Sequence, residues 1–92
     1  MAYGAVNVTD TATLILAANV QRQGILLVNA DEDDTVYLGM DASVTVANGL
    51  PFYSNSSRQM DRGFGLWLGP IYGICDTGAA ASVRYWEVTK GA

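Results

Sequence analysis

The chain has no histidine, one cysteine, two prolines and only five basic side chains among its 92 residues. Each scarcity excludes something. Without an imidazole base, Ser54, Ser56 and Ser57 lack the usual means of becoming nucleophiles. A single cysteine forms no internal disulfide. Cys75 lies in an apolar run with no basic neighbour, so it reads as a buried small hydrophobe rather than a reactive thiol. Arg22, Arg58, Arg62, Arg84 and Lys90 are scattered and face nine acidic residues, for a formal net charge of -4. That leaves no positive footprint for nucleic acid. No apolar run approaches the ~20 residues of a membrane-spanning helix. The N-terminus lacks the basic and apolar regions of a signal peptide, so export is not expected. Without such a signal, the triplets Asn7-Val8-Thr9 and Asn55-Ser56-Ser57 carry no glycosylation meaning.

Half of the residues are apolar and only 15% are charged, which excludes a disordered chain. A chain of this size buries somewhat over ~60% of its unfolded surface on folding, enough for one core. Residues 1–92 are therefore expected to form one domain. So few charged groups on a small protein favour association, either with copies of itself or with a larger surface.

Helical periodicity is almost absent. Apolar, β-prone runs recur at the 8–12-residue spacing of sandwiches and barrels. They start with Ala5-Val6-Asn7-Val8 and Thr13-Leu14-Ile15-Leu16. Gly24 to Asn29 is apolar on both faces, as a central strand should be. The runs on either side of Asp31–Asp34 suggest a hairpin with an acidic tip. Asp41 to Ala47 reads as a strand or an ordered loop, and Asn48-Gly49 as a tight turn. Pro51 places Leu50–Tyr53 at a sheet edge or strand start. Arg58–Asp61 alternates, and glycines 63, 65 and 69 mark a bent corner. A second hairpin is expected from Gly69–Cys75 and Ser82–Val88, joined through Gly78. The expected fold is all-β, an antiparallel β-sandwich or small jelly-roll-like barrel of about eight strands with almost no helix.

No motif carries catalytic chemistry. Calcium binding needs converging oxygens, and Asp31, Glu32, Asp33 and Asp34 lack the spacing, glycine and distal glutamate of an EF-hand. Consecutive residues of an extended segment also point apart, so the run reads as a solvated tip. Asp61, Asp76 and Glu87 have no spacing that would set two carboxylates the roughly 5–10 Å apart that glycoside hydrolysis needs. The glycines from 63 to 69 do not form a phosphate-binding loop. The chain is thus expected to be no enzyme and to use no metal or cofactor.

Aromatics remain. Tyr85 and Trp86 are adjacent on one strand and must face opposite sides, one into the core and the other outward or towards a partner. Trp67, with Phe64 and Leu66, sits on the glycine-rich corner, as core or as an exposed patch marking an interaction surface. Aromatics of this kind also serve sugar-binding sandwiches, so a polysaccharide ligand stays open.

Four stretches occur in a familiar order. They are Thr13-Leu14-Ile15-Leu16-Ala17-Ala18-Asn19 with Arg22 following, then Leu26-Leu27-Val28-Asn29. Next is Val36-Tyr37-Leu38-Gly39 running through Val44-Thr45 to Asn48-Gly49-Leu50-Pro51. Last is Gly69-Pro70-Ile71-Tyr72-Gly73-Ile74 ending in Val83-Arg84-Tyr85-Trp86-Glu87-Val88. In this order the chain resembles small all-β virion proteins of tailed bacteriophages, of the capsid decoration (cement) type. The resemblance implies a structural protein made in the host cytoplasm and carried on the capsid surface. There it would bind the major capsid protein and stabilise the shell. The three-fold positions of a shell suggest a homotrimer. The alternative role is a neck, tail or fibre component, or a carbohydrate-binding module for host attachment. The stretch Phe52 to Leu68 departs from similar chains. With the early strands, it supplies the expected contact residues: Tyr3, Val6, Tyr53, Phe64 and Trp67.

Overall fold

In a computed structural model, which describes residues 2–61 and 65–89, the apolar runs become eight β-strands, and no helix occurs among the described residues. The strands are β1 (Ala2–Val8), β2 (Thr13–Leu16), β3 (Arg22–Asn29), β4 (Val36–Gly39), β5 (Leu50–Phe52), β6 (Ser57–Asp61), β7 (Ile71–Ile74) and β8 (Ala81–Thr89). They form two antiparallel sheets, β1-β8-β3-β6 and β2-β7-β4-β5.

This order is a nested one. β4 pairs with β5, β3 with β6, β2 with β7 and β1 with β8, as along a single long hairpin. Rolling that ribbon up adds β3–β8 and β4–β7 and gives an eight-stranded jelly roll. The all-β sandwich expectation therefore holds. The two hairpins expected from local sequence do not. β3 and β4 lie in different sheets, so the acidic segment between them is a crossover; β7 and β8 are also in different sheets. Among consecutive strands only β4 and β5 share a sheet. Asp41 to Ala47 is a loop, and Gly49 is not in a left-handed turn. It is small because a Cβ there would stand 2.6 Å from Tyr37 Cβ and 3.0 Å from the Thr45 carbonyl oxygen.

Period-2 alternation decides what lies between the sheets. Val8, Ile25, Leu27, Val36, Phe52, Ile71 and Val83 point inward and are buried. Gly73 faces the same interior. A Cβ there would meet Ile15 Cδ1 and Val36 Cγ1, each at 2.9 Å, so glycine lets the sheets close at that point.

Among the described residues three polar side chains are buried with them: Asn29, Arg22 and Glu87. Asn29 donates through Nδ2 to the carbonyls of Asp34 and Phe52, both at 3.0 Å, and its Oδ1 accepts from the Asp31 amide. Arg22 donates through Nε to Glu87 at 2.7 Å. Its remaining nitrogens donate to the carbonyls of Trp67, Gly69 and Ala17 at 2.7, 2.9 and 2.6 Å. One guanidinium thus binds the loops before β3 and before β7 to the ends of β3 and β8.

Candidate docking face

β8 turns Val83, Tyr85 and Glu87 inward, which puts Arg84, Trp86 and Val88 on the outside of the first sheet. The expectation of one inner and one outer aromatic at Tyr85 and Trp86 is met, with Trp86 outside. The register assembles a row across the sheet: Tyr3 opposite Trp86, Trp86 opposite Leu26, and Leu26 opposite Gln59. A second row runs Ala5, Arg84, Val28 and Ser57, and a third Val88, Gly24 and Asp61. Tyr3 is 77% exposed and Trp86 56% exposed. The Trp86 indole N–H has no acceptor among the described residues.

Gly24 contributes no side chain to the third row. A shallow open depression of about 390 Å³ lies there, lined by Gln23, Gly24, Leu26, Gln59, Asp61, Trp86 and Val88 among others. Trp86 also lines a smaller hollow of about 200 Å³ with Leu26, Val28, Arg84 and Tyr85. The outside of the second sheet is apolar too, with Leu14, Tyr37, Tyr72 and Ile74, but its aromatics are only partly exposed.

The expected contact residues do not come together. Tyr3 stands in the Trp86 row. Val6 is on the same strand but packs against the core. Tyr53, 63% exposed, lies in the β5–β6 turn at the far end of the sandwich. Phe64 lies outside the described residues. Trp67 is partly exposed, but its indole N–H donates to the Pro70 carbonyl at 2.8 Å and its ring covers Gly69, where a Cβ would stand 2.2 Å from Cζ2. Its backbone carbonyl also serves Arg22. Trp86, the more exposed of the two tryptophans, is signalled in the sequence only by its alternation with Tyr85.

The far end is acidic. The crossovers after β1, β3 and β7 carry Asp10, Asp31, Glu32, Asp33, Asp34 and Asp76, six of the nine acids, and no Lys or Arg. Gly78 N–H donates to Asp10 Oδ2 at 2.9 Å, and Asn55 N–H to the Asp31 carbonyl at 3.2 Å, which ties these loops together. Among the described residues no three His, Cys, Asp or Glu side chains are placed to hold a metal ion.

Cys75 lies beneath this end, and its thiol donates to the Val8 carbonyl at 3.5 Å. Burial pushes the thiol up to about 11 from 9.0, with Asp34, Asp31, Asp76 and Asp10 adding to the shift. A thiol whose folded value is raised supports the fold fully below its unfolded value and loses that support as pH rises through the folded one. Stability of the native protein is therefore expected to fall between about pH 9 and 11 more steeply than that of Cys75→Ala. Urea titrations of both across that range check it. A disulfide reagent at pH 8 should modify Cys75 only after denaturation.

Comparison of the chain with protein families, with curated proteins and with solved structures finds no significant match.

Proposed function

We propose that the protein is a non-enzymatic structural component of a tailed-phage particle, which decorates the capsid by docking the outside of its first sheet on the shell. The observation that carries this reading is the Tyr3–Trp86–Leu26 row. It holds two exposed aromatics on a regular sheet, one with an indole N–H that has no acceptor among the described residues. Exposed aromatic surface next to aliphatic side chains is what protein interfaces use at their centres. The order of the four resembling stretches supplies the phage context, and the low charge of the chain suits a protein that works docked. The mechanism is mass action. A protein that binds the assembled lattice and not its parts shifts the equilibrium towards the lattice.

Co-sedimentation with purified shells tests it. The protein is expected to pellet with shells, and Trp86→Ala to weaken binding about 30-fold or more, the effect of losing an interface anchor worth about 2 kcal/mol. Tyr53→Ala, at the other end, should bind as the native protein does. Absence of the native protein from the pellet would end the reading.

A second reading has its own observation. The depression beside Trp86 offers an aromatic wall with the amides of Gln23 and Gln59 around a bare Gly24 floor, a setting for a sugar ring. Binding to a glycan array that Trp86→Ala abolishes, without shell binding, would favour host attachment.

A further inference from the structure

A sandwich has four edge strands, and an edge with unpaired N–H and C=O groups is a template for another strand. Here the edges are β1 and β6 in the first sheet and β2 and β5 in the second. Three of them carry features that block further pairing. β5 is three residues long with Pro51 in its middle. β2 is four residues long, and its register slips between Leu14 and Leu16. β6 carries Arg58 and Asp61, and a bridge to Gly65 occupies its end. β1 has none of these. It runs seven residues in unbroken register with β8, with no proline, charge or bulge. Among the described residues no strand pairs with its other side.

We infer that two copies of this chain pair through β1, antiparallel, about a two-fold axis at Ala5. A two-fold contact must match the strand to itself, so that residue i meets j and j meets i. Centring on Ala5 is the register that uses all seven residues. It sets Tyr3 against Asn7 of the partner subunit, Gly4 against Val6 of the partner subunit, and Ala2 against Val8 of the partner subunit. Each bulky side chain meets a smaller or polar one, and Ala5 meets its own copy with no bulk on the axis. An uncharged strand also avoids the like-charge opposition that self-pairing usually brings. The product is one continuous eight-stranded sheet, and the Tyr3–Trp86 rows of both copies lie on the same side of it. The pairing stands whatever that face binds.

Cysteine placement tests the register. Directly opposed Cβ atoms in a sheet lie about 4.5–5.5 Å apart, close enough for a disulfide with a small adjustment. Native Cys75 is buried and stays silent. The native protein is expected to sediment with the mass of two chains. Mild oxidation should convert Ala5→Cys to a covalent dimer on a non-reducing gel. Asn7→Cys should stay uncrosslinked, since its sulfur faces Tyr3 of the partner subunit and the two thiols sit about 13 Å out of register. Ala5→Glu lies opposite Arg84 in its own sheet, so circular dichroism should report a native fold. Two carboxylates would then oppose each other across the axis, and this variant is expected to sediment as one chain. A native mass of one chain, or of the three that shell symmetry suggests, would overturn the inference. So would equal crosslinking of Asn7→Cys, or a folded Ala5→Glu that remains a dimer.

Discussion

Replacing Arg22 by alanine is expected to cost about 3–5 kcal/mol of folding stability, read as a lowered urea midpoint. The Arg22 side chain is fully buried and Glu87 nearly so, with 2.7 Å between Nε and Oε2. Removing the guanidinium leaves a carboxylate in the interior without its cation. It also strips donors from the carbonyls of Ala17, Trp67 and Gly69. Small domains have about 5–15 kcal/mol in total, so the variant should be marginal. Removing both charges is a different case. Arg22→Met with Glu87→Leu should recover much of the loss, because burying the pair costs desolvation that apolar side chains avoid. The loops at 17–21 and 65–70 would still lack their anchor, and proteolysis should cut there first. Equal stability of native protein and Arg22→Ala would show that the pair contributes nothing.

Phe52→Ala should cost a similar amount, about 3–5 kcal/mol. Phe52 is the largest fully buried side chain, and it reaches the core from a strand of only three residues. Opposite it in the register is Val36, also fully buried. Truncation removes the apolar contact that holds β5 to the sandwich and leaves a cavity that Pro51 and the short strand cannot close by shifting. The Phe52 carbonyl, which accepts from buried Asn29, would lose its fixed position as well. Phe52→Leu keeps much of the volume and should retain most of the stability. Near-equal urea midpoints for Phe52→Ala and native protein would mean that β5 is not held by the core.

The strands were legible because each is written locally. Alternation places Val6 and Val8 inward and Tyr3 outward, and the apolar run at Gly24–Asn29 marks the strand that β8 and β6 enclose. Which sheet a strand joins is not written locally. The segments around Asp31–Asp34 and Gly78 have the composition of hairpin turns, yet both cross between sheets, because pairing of β3 with β6 and of β7 with β2 and β4 decides their direction. The Arg22–Glu87 pair spans 65 residues and appears in the sequence only as one scattered arginine and one of nine acids. Trp67 is expected as a contact residue because it lies in the stretch that departs from similar chains, on a corner rich in glycines. One of those glycines is the surface its ring covers.

The nested order of the strands also sets an order of events. β4 and β5 are close in sequence and can pair as soon as both are made. Each further pair encloses a longer stretch of chain, and long-range pairing is slow. β1 precedes β8 by the whole length of the sandwich, so β1 cannot find its place in the sheet until β8 too has left the ribosome. For that interval seven uncharged residues wait with both edges open. Expression yield should therefore depend on how fast the final strand arrives, and slowing translation before Ala81 should favour aggregation of new chains.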